Sequence, residues 1–309
     1  MRIVFMGTPD FAVPCLESIV EQHDVIAVYS QPDRPKGRGK KIQFPPVKEA
    51  AVKHDIPVFQ PEKLNTDQAY NELLSLNPDC IVVVAYGQIL SKRFLELPKH
   101  GCINVHASLL PAYRGAAPIN WVLVNGETKT GVTTMHMDVG LDTGDMIHKS
   151  EIDITENMIA GDLHDLLSVS GAELILKTLS ALEEGTAPRE KQDNALSSYA
   201  SMMNKKMSEI KWSMEAQAIH NQIRGFNPWP VSYTDYQGTR MKMYRSLCIE
   251  GTHQKESGTI LNVSAAGMDV ATGSGVLRVT EIQVPGSKRM AVKDYILGHE
   301  IKVGTRLGA

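Results

Sequence analysis

Residues 78–87, PDCIVVVAYG, constrain the fold more than any other stretch of the chain. Ile81 to Val84 are consecutive β-branched residues, with no polar side chain to meet water on either face. A strand buried on both faces belongs at the centre of a parallel sheet covered by helices. The surrounding sequence supplies such a sheet. RIVFMG (2–7) and VIAVYSQ (25–31) read as strands, with a helix from Ala12 to Gln22 between them. GCINVH (101–106), GVTTMHMD (131–138) and MIHKSEIDI (146–154) continue the series, with a helix near Ala117–Asn125. Residues 160–185 carry apolar positions three and four apart and stop at Gly185, as a long amphipathic helix does. The alternation predicts an α/β fold: a Rossmann-like, mostly parallel sheet with helices on both faces.

After Gly185 the texture changes. TAPREKQDNALSSY is polar and unpatterned, and short alternating runs separated by Gly and Asn fill the last hundred residues. Those runs predict a smaller β-barrel or sandwich. The expected division is a first domain over 1–188, a linker over 189–205 and a second domain over 206–309. Charge follows the same division. From Asn204 onward the chain carries 14 Lys+Arg against 9 Asp+Glu, whereas the remainder is acidic and the total is −3. A basic tail domain on an acidic body suggests a polyanionic partner. No run reaches the apolar length of a membrane helix, and the amino terminus lacks a signal-peptide layout, so a cytoplasmic location without membrane attachment is expected. The four cysteines are scattered, against both a disulfide framework and a zinc site.

Four constellations could carry chemistry. GTPDFA follows the first strand with a single glycine, too few for a dinucleotide fingerprint. Residues 31–48 hold five cations between Arg34 and Lys41 (Arg34, Lys36, Arg38, Lys40, Lys41) and read as a flexible basic loop for a phosphate backbone. Asn104 and His106 have the same parity on a strand and therefore face one way, at the carboxyl end where open sheets bind ligands. MDVGLDTGDM (137–146) places three aspartates at another strand end, too few ligands for a calcium loop. One of them could orient a histidine or a water. Spacing alone supports an enzyme using Asn, His and Asp, and names no reaction.

INVHASLLPAYRGAAP together with MDVGLDTGDM resembles the folate-dependent formyltransferases, in which Asn-x-His, S-L-L-P and an L-D-x-G aspartate recur. GTPDFA, QPDRPKGRGKK, VVVAYGQIL and RGFNPWP narrow the resemblance to those members that act on methionyl-tRNA. It implies formyl transfer from 10-formyltetrahydrofolate, as cosubstrate and without a metal, to the α-amine of charged initiator tRNA. It implies Asn104, His106 and Asp142 as catalytic residues. Ser108, Leu109, Leu110 and Pro111 would line the folate pocket, with Tyr86, Gly87, Gln88 and Ile89 walling the pterin. The basic loop, Arg38 foremost, would enter the acceptor stem, and the second domain would be an OB-like barrel holding the tRNA body. Lys205, Lys206 and Arg224 are candidates there by charge only. Nothing demands more than a monomer. The rival expectations are a formyltransferase acting on a ribonucleotide or amino-sugar nucleotide, which needs no basic barrel, and an inactive tRNA-binding protein, which needs no intact triad.

Overall fold

A computed structural model describes residues 1–36 and 41–308. Strands are numbered in chain order: β1 Arg2–Gly7, β2 Asp24–Tyr29, β3 Arg34–Lys36, β4 Lys41–Gln43, β5 Val58–Phe59, β6 Cys80–Val84, β7 Cys102–His106, β8 Arg114–Gly115, β9 Lys129–His136, β10 Met146–Asp153 and β11 Tyr199–Ala200. Seven of them form one sheet in the order β10-β9-β7-β6-β1-β2-β5. β1, β2, β5, β6 and β7 pair in parallel, and β9 runs antiparallel to β7. As its unbroken apolar run requires, β6 is interior and every one of its residues is buried.

Helices cover both faces. One face of the sheet (Val4, Met6, Ala27, Tyr29, Ile81, Val83, Cys102) packs with Leu73 of the helix Asp67–Leu76 and Phe94 of the short helix Lys92–Leu95. On the other face lies the helix Ala160–Glu184. Gly171 lets it approach β7, since a Cβ there would sit 3.1 Å from Val105 Cγ1. Val105 therefore points toward that helix while Cys102, Asn104 and His106 share the opposite face. That face is apolar at Cys102 and turns polar two and four residues later. Cys15, Cys80 and Cys102 are buried, and burial pushes the Cys15 and Cys80 thiols up to about 12, so none of the three offers a thiolate.

The chain divides into two compact units. The first takes Met1–Gly115, Lys129–Ile152 and His164–Ala200; the second takes Ala116–Thr128, Asp153–Leu163 and Ser201–Ala309. Much of the stretch expected as a linker is thus packed into the first unit, with β11 running parallel to β8. Residues 31–48, expected as a flexible loop, differ too: β3 and β4 form an antiparallel ribbon pairing Arg34 with Gln43 and Lys36 with Lys41.

The second unit is built on an antiparallel sheet of β12 Ser232–Tyr236, β13 Thr239–Ile249, β14 Ile260–Ser264, β15 Gly267–Ala271 and β16 Val276–Gln283, in the order β12-β13-β16-β15-β14, with β17 Met290–Ala291 paired to β16. Register shifts around Arg245 mark bulges that bend β13. Its core joins Met241, Met243, Val279 and Ile282 to Ile219 and Ile223 of the helix Ala216–Gly225. Among the described residues, no helix is long and apolar enough to cross a membrane.

Candidate active site

The site begins at the end of β7. Asn104 and His106 are 9% and 6% exposed, so their polar groups are largely removed from water and must find partners. Asp142 bonds the first and stands beside the second. Asn104 Nδ2 donates to Asp142 Oδ1 at 3.4 Å, and His106 Nδ1 lies 3.7 Å from Asp142 Oδ2. The other ring nitrogen, Nε2, is 2.9 Å from the carbonyl oxygen of Tyr113. A carbonyl only accepts, so Nε2 carries the hydrogen of that bond. Both nitrogens of His106 therefore face protein groups in this arrangement, whereas Asn104 Nδ2 has a second N–H to offer. The structure thus brings the three expected catalytic residues together.

Asp142 is placed by the loop between β9 and β10. Asp138 Oδ1 accepts from Gly140 N at 2.9 Å and Thr143 Oγ at 2.6 Å, folding the loop on itself. The glycines in this loop allow approaches no side chain could: a Cβ at Gly144 would lie 1.8 Å from the carbonyl oxygen of His136. Asp142 adopts φ 53°, a left-handed conformation costly for a residue with a Cβ. Its Oδ2 accepts from Gly115 N at 2.8 Å, which aims the carboxylate toward His106. Of the other acids, Asp145 pairs with Arg189 at 3.1 Å. Among the described residues no three His, Cys, Asp or Glu side chains gather as a metal-ligand set.

The remaining expected positions are less uniform. Ser108 and Leu110 are buried, with Ser108 Oγ donating to Ala112 O and Leu110 N donating to Thr133 Oγ. Leu109 and Pro111 are half-buried. At the end of β6, Tyr86 is buried while Gly87 and Ile89 are exposed. Gln88 is half-buried and its amide is used internally, accepting from Leu64 N and donating to Pro61 O. Arg34 is exposed; Arg38 and Lys40 lie outside the described residues, as do the side chains of Lys36 and Lys41.

In the second unit Lys205 and Lys206 are exposed, but Arg224 corrects a reading made from charge alone. It is only 5% exposed, with Nε donating to Asn221 Oδ1 at 2.9 Å and Nη1 to Thr155 O at 3.4 Å. Burial lowers its pKa, and a guanidinium turned inward does not meet a phosphate backbone. Arg114 and Gln192, which sequence reasoning missed, surround Asp142. Arg114 lies within the quoted INVHASLLPAYRGAAP without a role assigned to it, and no sequence pattern pointed to Gln192.

Comparison with known proteins identifies the family. Residues 1–179 match the family described as Formyl transferase, and residues 202–300 match Formyl transferase, C-terminal domain. A methionyl-tRNA formyltransferase of Clostridioides difficile is 54% identical over 309 residues, covering 100% of both chains. Among solved structures, an N-formyltransferase of Helicobacter canadensis, in complex with folinic acid and dTDP-3-aminofucose, has TM-score 0.66 at 23% identity, over 90% of this chain and 98% of its own. The sugar 3N-formyl transferase WlaRD, crystallised with dTDP and 5-N-formyl-THF, has TM-score 0.68 at 21% identity, over 93% and 99%. At those identities the two structures speak for the fold. With both family regions matched in order and a relative more than half identical from end to end, the chain belongs to the formyl transferase family, among its methionyl-tRNA formyltransferases.

Proposed function

We propose that this protein moves the formyl group of 10-formyltetrahydrofolate to the α-amine of methionine carried by initiator tRNA. The observation that carries the reading is the end-to-end identity of 54% with a methionyl-tRNA formyltransferase. The assembled Asn104, His106 and Asp142 supply groups that fit the chemistry. A neutral amine attacking a formyl carbon places negative charge on the formyl oxygen. The second N–H of Asn104 donates to that oxygen, and a positioned donor of this kind is worth about 3 kcal/mol in the transition state. His106 Nε2–H gives up the Tyr113 carbonyl to face the reacting atoms; as an imidazolium the ring donates to the oxygen and passes its Nε2 proton to the departing nitrogen, and it receives in exchange the proton that the attacking amine sheds on becoming the amide. Asp142, opposite Nδ1, stabilises the positive charge the ring acquires.

Ser108–Pro111 line the folate pocket, and Tyr86–Ile89 wall the donor's pterin. The exposed Gly87 and Ile89 and the half-buried Leu109 and Pro111 offer it apolar surface and backbone, while Ser108 and Leu110 act from beneath. The basic stretch 34–41 meets the acceptor end of the tRNA, and the second domain (206–309, after the connection 189–205) holds its body, with Lys205 and Lys206 on the RNA side. The protein works as a cytoplasmic monomer. An acceptor that is a ribonucleotide or amino-sugar nucleotide is not favoured: WlaRD, which acts on a sugar, is only 21% identical. The test is purified protein with 10-formyltetrahydrofolate and either charged initiator or elongator methionyl-tRNA. Formyl-methionine on the initiator is expected, and its absence there would refute the proposal.

A further inference from the structure

We infer that Gln192 is a positioning residue for this reaction: its side-chain amide holds Asp142, and through it His106, in working alignment. The inference rests on the formyl-transfer reading above and deepens it. Gln192 lies between the two family-matched regions, in the polar stretch without periodicity. Its Nε2 donates to the carbonyl oxygens of Asp142 and Gly144, both at 2.8 Å. Its Oε1 accepts from Arg114 Nε at 2.9 Å and Nη2 at 2.8 Å. Both N–H groups and the carbonyl of one amide are thus in use. The partners are the two sides of the Asp142 cradle. One is the backbone of Asp142 itself; the other is Arg114, whose neighbour Gly115 supplies the N–H that aims Asp142 Oδ2.

φ at Asp142 is in the left-handed region, and contacts from outside the loop add to what holds it there. Gln192 donates to the Asp142 carbonyl from 50 residues away in sequence. The segment is docked independently of this amide. Ser198 Oγ accepts from Tyr113 N at 2.8 Å, Ser198 O accepts from Arg114 N at 2.9 Å, and β11 pairs with β8. Substituting Gln192 therefore loosens Asp142 without detaching the strap that carries it.

Two substitutions separate positioning from simple bracing. Gln192→Glu keeps an acceptor for Arg114 but sets an oxygen against two carbonyls; Gln192→Met removes both sets of bonds at similar volume. Since misplacement of a reacting group by about 1 Å costs up to about 100-fold, kcat should fall about 30- to 100-fold in both. KM for tRNA and for the formyl donor should stay within about threefold, at a temperature where melting curves show each variant folded. In an Asp142→Asn background Gln192→Met should add less than about threefold, because the residue acts through Asp142. Unchanged kcat, an additive loss in that background, or a rise in KM alone would overturn the inference. A second readout needs no activity: the ¹⁵N signals of the His106 ring should move in Gln192→Met, and unmoved signals also overturn it. If the unaltered protein forms no formyl-methionyl-tRNA while those signals do move, the formyl-transfer reading fails and the coupling of Gln192 to His106 stands.

Discussion

Replacing Asp142 by Asn tests how much of the reaction depends on one buried charge. The substitution keeps the shape of the side chain. Its single carbonyl oxygen must take the place of Oδ2, because Gly115 N donates there at 2.8 Å and would oppose an amide N–H. The same oxygen faces His106 Nδ1 at 3.7 Å, so the ring keeps its neighbour and loses only the charge. On the other side the new NH₂ meets Asn104 Nδ2 at the former 3.4 Å contact, where two donors now oppose each other. A carboxylate and an imidazolium at this separation attract by about 4 kcal/mol at an effective dielectric of about 20. That corresponds to about 10³-fold in rate, and partial access of water to the Asp142 side chain brings the expectation to between about 10² and 10³. Steady-state formylation of methionyl-tRNA should show this loss in kcat, with KM for both substrates within about threefold and a melting temperature within a few degrees of the original. A kcat within tenfold of the unaltered enzyme, in a folded variant with unchanged KM, would refute the role given to the Asp142 charge.

Three further outcomes follow from the same geometry. Arg224→Ala should destabilise the protein by about 2–4 kcal/mol in urea titrations through lost charge-assisted hydrogen bonds and a cavity, with Arg224→Met milder and tRNA affinity unchanged in both. Lys205→Ala with Lys206→Ala should weaken tRNA binding and reduce the slope of log K against log salt by about 1.5 in filter-binding assays, leaving KM for the formyl donor unaltered. His220 is held below the ordinary histidine value of 6.5, first by burial, between Ser246 Oγ and the Glu156 carbonyl and near Arg224. The unfolded chain therefore takes up protons first, and stability that is complete above pH 6.5 falls as pH drops toward the lower folded value. Melting temperatures between pH 7.5 and 5.5 should decline in that direction, and His220→Gln should flatten the decline by its share, since His136 and His148 are lowered too.

The parts of the fold readable in the sequence are those whose side chains repeat with the period of the element. β6 is apolar at every position because both faces are covered, and the helix Ala160–Glu184 shows its three- and four-residue spacing over 25 residues. β5, β8 and β11 are two residues each, too short to have a period, and exist because a neighbouring strand pairs with them. The ribbon of β3 and β4 has three residues in each strand, too few to show a period. Arg224 failed for a different reason. Residues 219–225 are all buried, so the last two turns of the helix that carries them offer no exposed position for a cation. Its polar groups are met by residues far back in the chain, such as Thr155 and Glu156, and a count of charges does not register burial.

The candidate site divides along the same line. Asn104 and His106 were readable because the two-residue period of a strand fixes their common face, and β7 carries that face past the apolar cluster ending at Cys102. Asp142 was readable as a residue type in a recognisable loop, but not as an oriented carboxylate. Its orientation comes from Gly115, 27 residues earlier, and from Gln192, 50 residues later, and neither follows from a local pattern. An amide can hold two carbonyls and a guanidinium at once, whereas a carboxylate in its place would repel the carbonyls and an aliphatic side chain would bind neither. The constraint on position 192 is therefore chemical and tertiary: it fixes the residue type as strictly as β7 fixes a parity, yet leaves no trace in spacing or hydropathy. Position 192 lies between the family-matched regions 1–179 and 202–300, in the stretch whose composition marks it as linker. Where a carboxylate in a left-handed turn is proposed to act, the residues that hold it there are part of the same proposal.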